Sequence, residues 1–272
     1  MARSIRLPKV RFKIPRLPQV DPEKPDVFEE MTLQEHLEEL RDRIMRMVIA
    51  IVVAFVAGVV FARPLLREIV ERANLANTGL DIRGPAEPLT LFFKVALYIA
   101  IGITLPFIIY ELIAFLAPGL TRKEKRVLFS SLPFVAILFV SGVAYGFFVA
   151  APRALYFLSN FMPDIISFQP DGVEVLNFFL TLMMGLGIAF QLPVIMFVLA
   201  KIGIVSPEKM REWRKYAYLV LVIASAVITP STDPFNLALV AIPLVILYEL
   251  GAVISRVFAR TSLRESTDTA AG

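Results

Sequence analysis

The chain has no cysteine and one histidine among its 272 residues, and only 19% of it is charged. Without cysteine there is neither a disulfide framework nor a thiolate metal site. His36 alone leaves no histidine cluster for zinc or haem and no Ser-His-Asp arrangement, so no metal is expected. Walker-type phosphate loops and Gly-rich dinucleotide turns are missing, and the apolar runs hold neither a nucleophile beside a base nor paired aspartates. The expectation is therefore a protein that is not an enzyme and carries no cofactor. The layout of a cleavable signal peptide is lacking too, because the first apolar run begins only at Ile44.

What the chain has is apolar surface. It is 57% hydrophobic with a mean hydropathy of +0.70, too apolar for an ordinary soluble domain. The fold class this implies is an all-α integral membrane protein. A pI near 9.4 could suggest nucleic acid, but the basic residues collect in loops and no basic surface interleaved with aromatics is present, so none is expected.

Three segments are expected: a disordered, basic, proline-rich tail over 1–30, a six-span membrane domain over 31–260, and a flexible cytoplasmic tail over 261–272. In the first, Pro8, Pro15, Pro18, Pro22 and Pro25 alternate with Arg and Lys, and its positive charge suits either a simple tether or contact with anionic membrane lipids. Leu33, Leu37, Leu40 and Ile44 then form the stripe of an amphipathic surface helix, with Glu35, Glu39 and Arg43 on the charged face. Spans are predicted over 44–62, ended by Arg63 and Pro64; over 89–116, with Lys94 snorkelling outward; over 127–150; over 175–200, kinked at Pro193; over 216–229; and over 235–254, interrupted by Glu249. The fifth and sixth are short.

Orientation follows from the cations. Lys and Arg crowd 1–43, 117–126, 201–215 and the end of the chain, whereas the opposite loops hold only Arg63, Arg67, Arg72, Arg83 and Arg153. Retention of cations on the cytoplasmic side then puts both termini inside. The stretch 117–126, APGLTRKEKR, is the central inner loop, with Arg122, Lys123, Lys125 and Arg126 around Glu124.

Polar groups inside spans ask for partners. Gln191, before Leu192 and Pro193, suits either a hydrogen bond within the protein or docking of another protein's membrane helix. Thr104, Ser141 and Thr181 can satisfy themselves on helix carbonyls. Glu39 and Glu124 flank spans on the inner side. Glu124 could merely compensate its neighbours' charge, or the two carboxylates could hold two guanidinium groups, which their planar geometry favours over ammonium. LPFIIYEL, LPVIMFVL and IPLVILYEL recur in the second, fourth and sixth runs, a weak echo in so apolar a chain. A small-solute transporter is disfavoured by the lack of a clear repeat and of charge at mid-span.

HLEELRDR (36–43), FLAPGLTRKEKR (115–126), FQLPV (190–194), TPSTDPFN (229–236) and YELG (248–251), in that order, resemble the TatC family, receptor subunits of the twin-arginine protein translocase. The resemblance covers about 31–260 and implies a non-enzymatic receptor for signal peptides with paired arginines on folded cargo. It places the family's signal-binding carboxylates on Glu39 and Glu124, with Arg41 and Arg43 in the same motif. It further implies single-span partners, TatA and TatB, the latter near the fifth span; use of the proton motive force; self-association; and a bacterial or archaeal cytoplasmic (inner) membrane location. At Gln191 many members carry Glu, and an amide cannot titrate. Gln191 and Pro193 are the implied partner-docking position, and Asp233 and Glu249 match acidic positions with a structural role first.

Overall fold

A computed structural model describes residues 33–73, 84–116, 122–162, 164, 171–201, 203–229, 231 and 233–270, with backbone only at 33, 122–124 and 258–270. The tail expected over 1–30 lies outside the described residues. Every regular element described is helical: α1 (Leu33–Arg72), α2 (Glu87–Leu116), α3 (Arg122–Ser130), α4 (Leu132–Tyr145), a π turn (Gly146–Ala150), α5 (Ala151–Ser159), α6 (Gly172–Ala189), α7 (Leu192–Lys201), α8 (Pro207–Glu212), α9 (Arg214–Ile228) and α10 (Pro234–Ala270).

Among the described residues, five helical stretches are long and apolar enough to cross a membrane: Gln34–Arg72, Glu87–Leu116, Lys125–Ser159, Gly172–Lys201 and Pro234–Val257. α9, expected as the fifth span, has 15 residues. At about 1.5 Å per residue it reaches roughly 22 Å, below the ~30 Å hydrocarbon core.

Several expected boundaries move. α1 does not stop at Arg63 and Pro64 but continues to Arg72 with Pro64 inside it, so the surface helix and the first span are one rod of 40 residues. Its apolar stripe also faces outward: Leu37 is 58% and Ile44 46% exposed, while Glu39 and Arg43 turn towards α2. A hydrocarbon solvent removes the usual reason to bury leucine, and the charged face goes where it finds partners. The third span runs beyond Ala150 through the π turn into α5. Pro152 has no N–H to donate and its ring would press on the carbonyl four residues back. The helix widens just before it, with Ala151 N–H donating to Gly146 O, five residues back. Glu249 does not interrupt α10, which runs on to Ala270 through most of the segment expected as a tail.

Pro193 acts as expected. Deprived of its donor, the fourth span breaks at Phe190 and Gln191 into α6 and α7. Ser206 caps α8, its Oγ accepting from Lys209 N–H at 3.3 Å, with Pro207 at the first helical position.

α6 is the centre of the bundle. Leu176, Phe179, Leu180, Leu182 and Leu186 along it are almost wholly buried. By contrast, Val52, Val53, Val56, Val60 and Phe61 of α1 are exposed, the pattern of a lipid-facing helix. α1 and α2 approach so closely that a Cβ on Gly58 would sit 2.1 Å from the Ala96 carbonyl oxygen. Small residues at a membrane helix crossing permit this approach.

Candidate functional site

α1 and α2 run antiparallel, since Gly58 meets Ala96 while Arg43 meets Glu111. The first turns of α1 therefore lie beside the last turns of α2. Glu39, Arg43 and Arg46 follow one another at spacings of four and three, which puts them on one helix face. That face meets Glu111, whose side chain is 1% exposed.

The Arg43 guanidinium bridges two carboxylates. Its Nη1 donates to Glu111 Oε2 at 2.8 Å, its Nε donates to Glu39 Oε1 at 2.9 Å, and its Nη2 donates to the same Glu39 oxygen. Arg46 Nη1 stands 3.1 Å from the other oxygen of Glu111. Two cations thus balance two anions, which allows a carboxylate to remain buried at a helix crossing. The second Glu39 oxygen is different. It has no hydrogen-bond partner among the described residues and is shut off from solvent. His36 Nδ1 lies 3.8 Å from it, and the His36 ring stacks on Phe115 near the end of α2, centroids 4.3 Å apart.

Of the residues expected to bind signal peptide, Glu39 and Arg43 are in direct contact and Arg41 is exposed on α1. The backbone of Glu124 lies in the first turn of α3; its side chain is outside the described residues. Leu116 ends α2 and Arg122 begins α3 six positions later, a chain that can span at most about 22 Å. α3 therefore starts at the end of the bundle that carries Glu39, and it packs against α2.

Gln191 is 3% exposed between α6 and α7. Its Nε2 donates to the Val135 carbonyl of α4 at 3.1 Å, while its Oε1 is buried without a partner among the described residues. Asp233 closes the turn into α10: Oδ1 accepts from Asn236 N–H at 2.8 Å and Oδ2 from the Asn236 side chain at 2.7 Å. Glu249 accepts from Arg214 and from the Tyr218 hydroxyl, tying α10 to α9. Lys94 does not snorkel outward, because Asn177 on α6 offers Oδ1 at 2.8 Å within the bundle. Thr104, Ser141 and Thr181 each donate to the carbonyl four residues back.

Glu111 and Arg46 do not follow from the motifs read in the sequence. Treated as an apolar echo, LPFIIYEL gives Glu111 no weight. A carboxylate inside a span is itself the signal, for it demands a cation.

Together, the long lipid-exposed helices and the buried charge network at one end define an all-helical, multi-span membrane protein. Residues 35–243 match the family model described as Sec-independent protein translocase protein (TatC). The chain belongs to this family. It is 35% identical over 238 residues to the Sec-independent protein translocase protein TatCy of Bacillus subtilis (strain 168), covering 87% of this chain and 93% of that one. It is 36% identical over 236 residues to the TatC protein of Deinococcus radiodurans, covering 83% and 86%. A crystal structure of the twin-arginine translocase receptor TatC in DDM superposes with a TM-score of 0.73 at 31% identity, over 81% of this chain and 99% of that chain.

Proposed function

We propose that this chain is the receptor subunit of a twin-arginine translocase. It recognises signal peptides with paired arginines on folded cargo, at the cytoplasmic face of a bacterial or archaeal cytoplasmic membrane. With single-span partners of the TatA and TatB type, and driven by the proton motive force, it passes that cargo across. It works as a transport component and catalyses no reaction.

Six crossings with both termini inside fit this reading. α9 supplies the sixth, short crossing, and the bilayer thins around it. The cation-rich segments fall on one side of such a topology. Tyr216, Leu219, Val220, Ile223 and Val227 form an exposed apolar stripe on α9, suited to a single-span partner helix. Gln191 and Pro193 mark a second docking position, and copies of the receptor associate with one another.

The observation that carries the proposal is that Glu39 already holds a guanidinium, that of Arg43, through two of its nitrogens. The same carboxylate can hold an arginine of a signal peptide, with Glu124 taking the other. Photo-crosslinking of a signal peptide to Glu39→Ala and to Glu124→Ala is the test. Each substitution is expected to weaken the crosslink, and undiminished crosslinking in both would overturn the assignment.

A further inference from the structure

Glu39 cannot receive a ligand as it stands. One of its oxygens is taken by Arg43 Nε and Nη2, and the other is shut off from solvent beneath His36. A peptide guanidinium reaches this carboxylate only if Arg43 gives up its place. Arg43 has a second acceptor within reach, because its Nη1 is already 2.8 Å from Glu111 Oε2. Glu111 is the more deeply buried of the two, its side chain 1% exposed against 20% for Glu39. Arg46, half exposed, sits on the other Glu111 oxygen and keeps that carboxylate compensated throughout.

We infer that Arg43 is an internal competitor occupying Glu39 in the empty receptor, and that Glu111 is the positioning residue that takes Arg43 over when a signal-peptide arginine displaces it. This rests on Glu39 being a signal-binding carboxylate. The exchange replaces one arginine on Glu39 by another and leaves the guanidinium of Arg43 bound at Glu111. It also accounts for a carboxylate retained inside an apolar run: Glu111 gives the displaced cation somewhere to go.

A double-mutant cycle on the Kd of an Arg-Arg signal peptide, measured with the purified full chain, tests the inference. Glu111→Gln removes the negative charge that would hold the displaced Arg43 and should weaken binding about tenfold, the effect of one charge-assisted hydrogen bond. Arg43→Gln removes the competitor and should bind at least as tightly as the parent. In the Arg43→Gln background, Glu111→Gln should then change Kd less than about twofold. An equal effect of Glu111→Gln in both backgrounds, no effect in the parent, or loss of binding in Arg43→Gln would overturn the inference. Should Glu111→Gln not fold, the Arg43→Gln arm decides alone, by retention or loss of binding. Glu39→Ala separates the two readings: if it leaves Kd unchanged, the signal-binding assignment itself fails; if it weakens binding while the cycle is additive, only the exchange fails.

Discussion

Arg43 of α1 and Glu111 of α2 meet at 2.8 Å although 68 positions separate them in the chain. The contact joins the first turns of α1 to the last turns of α2, beside Glu39. Removing the charge of Glu111 therefore affects architecture as well as any ligand.

Glu111→Ala should lower stability by about 3 kcal/mol, because it strands the largely buried Arg43 with one acceptor fewer. Glu111→Gln should cost less, since the amide keeps the volume and one acceptor. Thermal unfolding in detergent, followed by tryptophan fluorescence or circular dichroism, gives the order of the two.

Gly58 provides a steric test of the same helix pair. Helix propensity alone favours alanine over glycine by about 1 kcal/mol. The added Cβ would meet the Ala96 carbonyl oxygen at 2.1 Å, and a backbone atom cannot rotate away. Overpacking of this kind costs about 1–3 kcal/mol. Gly58→Ala should therefore lower the Tm despite its better propensity, and an unchanged or higher Tm would show that α1 and α2 pack less tightly than described.

Asp233 caps α10 through Asn236 N–H, with Pro234 at the first helical position. Asp233→Ala should cost about 1 kcal/mol and Asp233→Asn only a fraction of that, since the amide oxygen still accepts. Hydrogen exchange in the first turn of α10 should rise for alanine and hardly change for asparagine.

At Gln191 two effects oppose each other. Gln191→Leu loses the bond to Val135 O, worth about 1 kcal/mol, yet also removes a buried oxygen that has no partner among the described residues. Stability should change by less than about 1 kcal/mol. If Gln191 marks the proposed docking position, association with the proposed single-span partners should weaken while signal-peptide binding persists, as measured by co-purification and crosslinking. Loss of both together would indicate misfolding rather than a lost docking position.

Much of this arrangement was legible in the sequence, and the physical reason differs from element to element. Hydropathy located the long helices, and Pro193 located the break in the fourth. The end of α1 was misplaced because Arg63 and Pro64 resemble a terminus in water, while a long membrane helix carries both without stopping. The inward face of α1 is hidden for a related reason: Leu37 and Ile44 mark only an apolar stripe, which stays exposed while Glu39 and Arg43 turn towards α2. Motifs marked Glu39, which is local to α1. Glu111 acquires its meaning only through partners 68 and 65 positions away, and no local pattern encodes such a pairing.

The most direct test of the central claim uses the purified full chain and two signal peptides that differ only in having Arg-Arg or Lys-Lys. If Glu39 and Glu124 hold planar guanidinium groups, the Arg-Arg peptide should bind at least about tenfold more tightly, and this preference should vanish in Glu39→Ala. Equal retention of both peptides, or a preference that survives Glu39→Ala, would contradict the account.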